Sequence, residues 1–414
     1  MSPRCDRPPS RLILLAPIQP ARTGNGLAMR AELFRRAAAR DFHVRTVVVP
    51  VAGWTRRGSE ASDGDVVLAP DAVRARKGVR ALLADPRWRR RLADAGTLPP
   101  LACAASPGMV DAVTDALDEH DPVAVHVMRS YLGPLGAAVA ERLEAAWATL
   151  DLDEDDAAFS AATGDVQRAR AYERLLDAFG GCFDRLSAAS AAEAQAIADR
   201  HGLTVRRIPN AVELLPGPVR RSRDPRSGLS LLFVGNLTYA PNVGAGYALV
   251  QEIAPMVRRR LGRRVAVRLV GSHHPDLQRL SAADVEVAGF VSDLAPVYAA
   301  ADMVVVPLKL GAGTRIKLLE AFAHRVPVVA SPIAVAGLEV SDGQHLPVAE
   351  GAEHTAAAVA AVATDHALAT RLVNEAAELV RERYSIEAVI PAIRDFVAPA
   401  ARVDSRPRQP SGAL

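Results

Sequence analysis

The chain has 414 residues, half of them hydrophobic, which exceeds one ordinary domain of roughly 150 residues and is ample for two cores. Fifty basic and forty-seven acidic side chains leave a formal charge of +3, which gives no ground for a nucleic-acid partner. Cys5, Cys103 and Cys182 stand far apart with no CxxC or Cys/His spacing, so neither a zinc site nor a disulfide framework is indicated, and a cytoplasmic setting is expected.

The first apolar run, Leu12 to Ile18, is interrupted by Pro17 and followed by Pro20, and is too short for a signal-peptide core. No stretch approaches the roughly eighteen unbroken apolar residues of a membrane span. Strand-like runs follow one another: RLILLAP (11–17), HVRTVVVP (43–50), PVAVHVM (122–128), WATLDLD (147–153) and FDRLSAAS (183–190). Continuous apolar strands of this kind, separated by helical patterns, predict a parallel, doubly wound α/β sheet over residues 1–212. Residues 213–228, rich in Pro, Gly, Arg and Ser, read as a linker. LSLLFVG (229–235), RVAVRLVG (264–271), VEVAGF (285–290), DMVVVP (302–307) and VPVVAS (326–331) predict a second parallel sheet, in a domain over 229–385. A helix over 386–397 is expected to cross back onto the first domain, and 400–414 to remain unfolded.

Parallel sheets bind ligands beyond the carboxyl ends of their strands, where loops and helix N-termini present N–H groups to anions. The richest such loop is PLKLGAGTRIKLLEAFAHRVPVVAS, from Pro307 to Ser331. Gly311 and Gly313 permit close backbone approach, and the helix beginning near Thr314 offers its first N–H groups to a phosphate. Arg315 and Lys317 add positive charge, and Glu320 is placed to accept hydrogen bonds from ribose hydroxyls. The same residues also fit an ordinary turn followed by a solvated helix face.

Several motifs occur in a fixed order: ARTGNGLAMR after the first strand, VHV, LDLDEDD, YERLL leading into RLSAASAAEA, and RRIPNAVE. FVGNLTYAPN, VRLVGSHHP, VAGFVSDLAPVYAAADMVVVPL and GAGTRIKLLEAFAHRVPVVAS complete the series. The series spans most of the chain and resembles the family 4 (group 1) glycosyltransferases. That resemblance implies the GT-B fold, two Rossmann-like domains facing across a cleft, and sugar transfer from a nucleotide-sugar donor with retention of configuration.

On this resemblance Glu320 is the second glutamate of the family's Glu-x7-Glu motif and contacts the donor ribose, while Ala312 stands where the first glutamate is usual. Gly313, Thr314, Arg315 and Ile316 form the turn facing the diphosphate; Gly24, Asn25 and Gly26 form the N-terminal loop beside donor and acceptor. Val291 falls where backbone pairs with the nucleotide base, and Gly235 and Asn236 open the loop after the second domain's first strand. Relatives carry an arginine and a lysine in that loop; GNLTYAPN has neither, and Arg315 and Lys317 are the expected substitutes as catalytic cations. His126 is either a catalytic histidine contacting the donor sugar or a core histidine, since Met128 replaces the family's second histidine.

Asp151 and Asp153 spell Asp-x-Asp, a metal signature of a different glycosyltransferase class, but no metal or other cofactor is expected here, the nucleotide sugar being a co-substrate. His273 and His274, adjacent in sequence, are ill placed to share one metal. Between Arg74 and Arg91 eight basic residues outnumber the single acid Asp85, a patch that fits a lipid-diphosphate acceptor, peripheral contact with a membrane or a solvated face. Sugars, lipid-linked sugars and small molecules all qualify as acceptors. A nucleotide-sugar epimerase on the same fold, a donor-binding subunit or degenerate transferase without independent turnover, and a transferase working only in a complex are the alternative functions.

Overall fold

The computed structural model describes residues 11–49, 66–67, 99, 102, 107–115, 123–214, 228–273, 275–311 and 316–399. The basic segment 74–91, the residues Ala312, Gly313, Thr314 and Arg315, His274, most of the linker and the tail 400–414 lie outside them.

Two parallel sheets organise the chain. The first contains β1 (Arg11–Ala16), β2 (His43–Val48), β3 (Val66–Val67), β4 (Val123–Met128), β5 (Trp147–Asp151), β6 (Arg185–Ala188) and β7 (Val205–Arg207), in the spatial order β3-β2-β1-β4-β5-β6-β7. The second contains β8 (Leu229–Val234), β9 (Val265–Val270), β10 (Val285–Ala288), β11 (Met303–Val306) and β12 (Val328–Ala330), in the order β10-β9-β8-β11-β12. In both, the order reverses beside the first strand of the domain, which opens a crevice at the carboxyl edge. The expected pair of doubly wound α/β domains is therefore the observed architecture.

β4 shows why such strands read as unbroken apolar runs: all six residues are buried, because helices cover both faces of the sheet. Within the first domain, one core cluster gathers Ile13, Val125 and Leu150, and another gathers Leu12, Leu14 and Phe34. The helix Ile386–Val397 joins the second of these through Ile390, Ile393 and Phe396. Its Ser385 cap accepts from the Ala388 N–H, and the Arg185 guanidinium donates to the carbonyls of Asp395, Phe396 and Ala398 at its other end. Each large apolar side chain buried this way contributes about 1.5–3 kcal/mol. The last helix is thus tied to the first sheet although its sequence follows the second.

The crossover junction is made by backbone bonds. Val212 N–H donates to Tyr384 O at 2.9 Å, and Ile386 N–H donates to Val212 O at 3.2 Å.

Candidate functional site

At the carboxyl end of β8 the chain turns through Gly235 and Asn236. Gly235 N–H donates to Val270 O at 2.9 Å, which continues the pairing with β9. Asn236 Oδ1 accepts from the Thr238 N–H at 3.0 Å and its hydroxyl at 2.7 Å, while Asn242 Nδ2 donates to Asn236 O at 2.8 Å. The loop is closed on itself by polar side chains, as Asn residues do in turns. Gly271 stands behind it with φ 140°, and a Cβ there would overlap the Gly235 carbonyl oxygen.

The helix Ile316–Ala323 brings a cation to this loop. Lys317 Nζ donates to Asn242 Oδ1 at 2.8 Å and lies 4.3 Å from the centroid of the Phe233 ring. A Cβ on Gly235 would stand 2.7 Å from that ammonium nitrogen, so the glycine makes room for it. Lys317, eighty-two positions along the chain from Gly235 (317 minus 235), therefore places its charge where the GNLTYAPN loop has no basic residue of its own.

Glu320 lies one turn further along the same helix face. Tyr298, fully buried in the helix Ala295–Ala299, donates its hydroxyl to Glu320 Oε2 at 3.1 Å. Burial pushes the Glu320 carboxyl up from its ordinary 4.5 to about 7, opposed by the Tyr298 hydrogen bond and by attraction to Lys317. Ile316 and the loop after β1 meet directly: a Cβ on Gly26 would lie 3.2 Å from Ile316 Cδ1, and one on Gly24 would lie 3.3 Å from Phe290 Cε2. Asn25 caps the helix Gly26–Ala38 by accepting from Leu27 N–H at 2.8 Å. Val291, beside Phe290, is half-buried against the second core. The structure thus gathers Gly24, Asn25, Gly26, Gly235, Asn236, Val291, Ile316, Lys317 and Glu320 around the facing carboxyl edges of the two sheets. Gly313, Thr314 and Arg315 fall outside the described residues, as does Ala312.

His126 is placed differently. It sits mid-strand in β4, 1% exposed, with its ring stacked 4.5 Å from Phe34 at 11° and edge-on to Phe396. Nδ1 is 2.8 Å from Thr149 Oγ1, and burial lowers its pKa to about 4, so the ring is neutral at physiological pH. A catalytic role does not fit this position: the continuous burial of β4 turns His126 into the core. Met128, where relatives carry a histidine, is buried as well.

The acids of LDLDEDD are paired with guanidinium groups. Asp151 receives Arg30 Nε and Nη2, each at 2.7 Å, and the Ser187 hydroxyl at 2.8 Å, while Arg30 Nη1 donates to Asn210 Oδ1. Arg129, with φ 75°, bridges Asp153, Glu154 and Asp156. Burial raises Asp153 and Asp156 against the pull of Arg129. His273 is engaged in a parallel bridge with Leu237. Among the described residues no group of His, Cys, Asp and Glu forms a metal-binding cluster, and no single helix is long and apolar enough to cross a membrane. A cavity of about 280 Å³ lies among Ser230, Ala266, Asp284 and Val297, near the amino ends of β8 and β9 and away from the carboxyl-edge crevice.

Against known families, the match falls in the region carrying β8 to β12. Residues 228–365 match the model of glycosyl transferases group 1. No curated protein sequence matches the chain. Solved structures do, over nearly its whole length. Sucrose-phosphate synthase from Thermosynechococcus elongatus has a TM-score of 0.66 at 17% identity, covering 94% of this chain and 98% of that one. Anabaena Alr3699/HepE in complex with UDP and glucose gives 0.66 at 13% identity, covering 94% and 99%. TarM, of S. aureus, gives 0.66 at 10% identity, covering 94% and 98%. The fold is that of GT-B glycosyltransferases, and with the matched domain it supports glycosyl transfer as the class of activity.

Asn242, Tyr298 and Gly271 escape a reading of the sequence as candidate site residues. Asn242 lies in the quoted YAPN run, yet no local pattern marks it as the partner of a lysine on a distant helix.

Proposed function

We propose that the chain is a retaining glycosyltransferase that takes a nucleotide-sugar donor in its second domain and an acceptor hydroxyl in its first. The observation that carries this reading is the placement of Lys317 Nζ over Phe233 and beside Gly235, bonded to Asn242, with Glu320 one turn away. A cation and a carboxylate at the carboxyl edge of a parallel sheet suit a diphosphate and a ribose in turn. The complex of HepE with UDP and glucose is consistent with a uridine or related donor.

In this mechanism the bond between the anomeric carbon and the diphosphate oxygen breaks, and the acceptor oxygen bonds to the same face of that carbon. The acceptor proton passes to the departing diphosphate oxygen, so no enzyme carboxylate has to act as nucleophile. Lys317 stabilises the charge growing on the diphosphate, with Arg315, which lies outside the described residues, as the second proposed cation. Cleft closure at the Gly24–Phe290 and Gly26–Ile316 contacts excludes water and suppresses hydrolysis. This mechanism calls on no metal at the Asp-x-Asp pair, where the carboxylates of Asp151 and Asp153 are engaged by Arg30 and Arg129.

The test is calorimetric binding and turnover with a panel of sugar nucleotides, comparing the native chain with Lys317→Met. The variant should lose about 100-fold in kcat, the typical loss for one electrostatic stabiliser. Full turnover in Lys317→Met, or no donor binding by folded native protein, would refute the assignment.

A further inference from the structure

A glutamate on a helix surface has three side-chain torsions, so its carboxylate needs a second contact if it is to meet a ligand in one orientation. For Glu320 that contact comes from outside its own helix. Tyr298 is 0% exposed, and a buried phenol must place its O–H on an acceptor; here the acceptor is Glu320 Oε2 at 3.1 Å. The tyrosine ring is itself held, lying 4.5 Å from the His324 imidazole at 43°. His324 Nδ1 in turn lies 3.1 Å from the backbone carbonyl of Glu320, so the ring and the carboxylate are referenced to the same helical turn.

We propose that Tyr298 is the positioning residue for Glu320: its hydroxyl fixes one carboxylate oxygen and turns the other to the 2′,3′-diol of a ribonucleoside diphosphate. The inference rests on the donor reading above and deepens it, because it makes the intact ribose diol the feature that this pair selects. Among the described residues, the titratable groups that act on the carboxylate are Tyr298, from the helix Ala295–Ala299, and Lys317, from its own helix. Tyr298 donates and Lys317 attracts, and both favour the ionised form that accepts from hydroxyls.

Native protein, Tyr298→Phe, Tyr298→Met and Glu320→Ala are titrated by calorimetry with UDP, GDP and ADP and with the 2′,3′-dideoxy counterpart of each, melting curves confirming that every variant is folded. For the diphosphate bound most tightly, Tyr298→Phe should weaken the ribonucleotide about three- to tenfold, as loss of one ordinary hydrogen bond does, and leave the dideoxy compound unchanged. Tyr298→Met should lose the same discrimination. Glu320→Ala should abolish it. Native affinity for the ribonucleotide should rise as the pH passes about 7, and in Tyr298→Phe that midpoint should move higher, since the hydrogen bond that holds it down is gone. If Glu320→Ala abolishes discrimination while both Tyr298 variants keep the native ratio and midpoint, the positioning role is wrong and the donor site stands. If no diphosphate binds the folded native protein, or Glu320→Ala binds all of them as native does, the donor reading fails and this inference fails with it.

Discussion

Replacing Glu320 by Gln should stabilise the protein, increasingly so as the pH rises. The Glu320 carboxyl titrates at about 7 in the folded chain against an ordinary 4.5, because burial disfavours its charge more than Tyr298 and Lys317 favour it. A raised carboxyl pKa means that the folded state binds more protons than the unfolded one between those two values, so stability is lost across that window as pH increases. With one pKa step worth about 1.4 kcal/mol, keeping the glutamate costs about 3 kcal/mol near pH 8 but only about 1.5 kcal/mol near pH 5.5. Glutamine keeps an oxygen for the Tyr298 hydroxyl and removes the charge, so its advantage should grow by about 2 kcal/mol between those conditions. For a domain of this size that is a further rise of about 4–8 °C in melting temperature. Thermal melts followed by circular dichroism at about pH 5.5 and pH 8 measure it directly. A Glu320→Gln variant whose advantage is absent, or is the same at both values, would refute a charge held against its solvation.

Three other substitutions separate site from scaffold. His126→Phe should leave kcat within about twofold while costing about 1 kcal/mol for the stranded Thr149 hydroxyl; a loss of about 100-fold, as for a removed general base, would restore a catalytic role. Arg30→Met leaves Asp151 buried and unpaired and should cost about 3–5 kcal/mol in urea unfolding, whereas pairing it with Asp151→Leu should recover most of that; a single-variant cost below about 1 kcal/mol would show the pair to be dispensable. Gly271→Ala forces a Cβ onto the Gly235 carbonyl at a left-handed φ of 140°, so nucleoside diphosphate affinity should fall with the first domain still folded; unchanged affinity would mean that the β8 loop does not contact the ligand.

Much of the fold is legible in the sequence because central parallel strands are buried on both faces and spell unbroken Val, Ile and Leu runs, as β4 and β8 do. β7 carries no such run: Val205–Arg207 is a short edge strand whose alternate residues meet solvent, and VRR has no apolar face to advertise it. β3 consists of Val66 and Val67 alone, below the length at which a period can be seen. The same double burial that makes β4 readable misleads at His126. A histidine near the carboxyl end of a strand looks like a site residue, yet the side of the strand it faces is packed by Phe34 and by Phe396 from a helix 270 positions along the chain (396 minus 126).

The geometry of the proposed donor side is legible where its parts are contiguous and opaque where they are not. Lys317 and Glu320 lie within one segment, so their shared helix face follows from the period of 3.6. Lys317 answers a deficit in another segment, and only the register of β8 beside β11 brings Gly235 and Asn242 under its ammonium group. This placement has a mechanical consequence. When the cation belongs to the helix rather than to the loop, the groups proposed to contact diphosphate and ribose are three residues apart on one rigid element. Their separation is then set by helix geometry, while the loop follows through Asn242. Motion of the first domain's Gly24–Gly26 loop against Phe290 and Ile316 can open or close the cleft without altering that separation, which keeps the proposed donor contacts preorganised through closure.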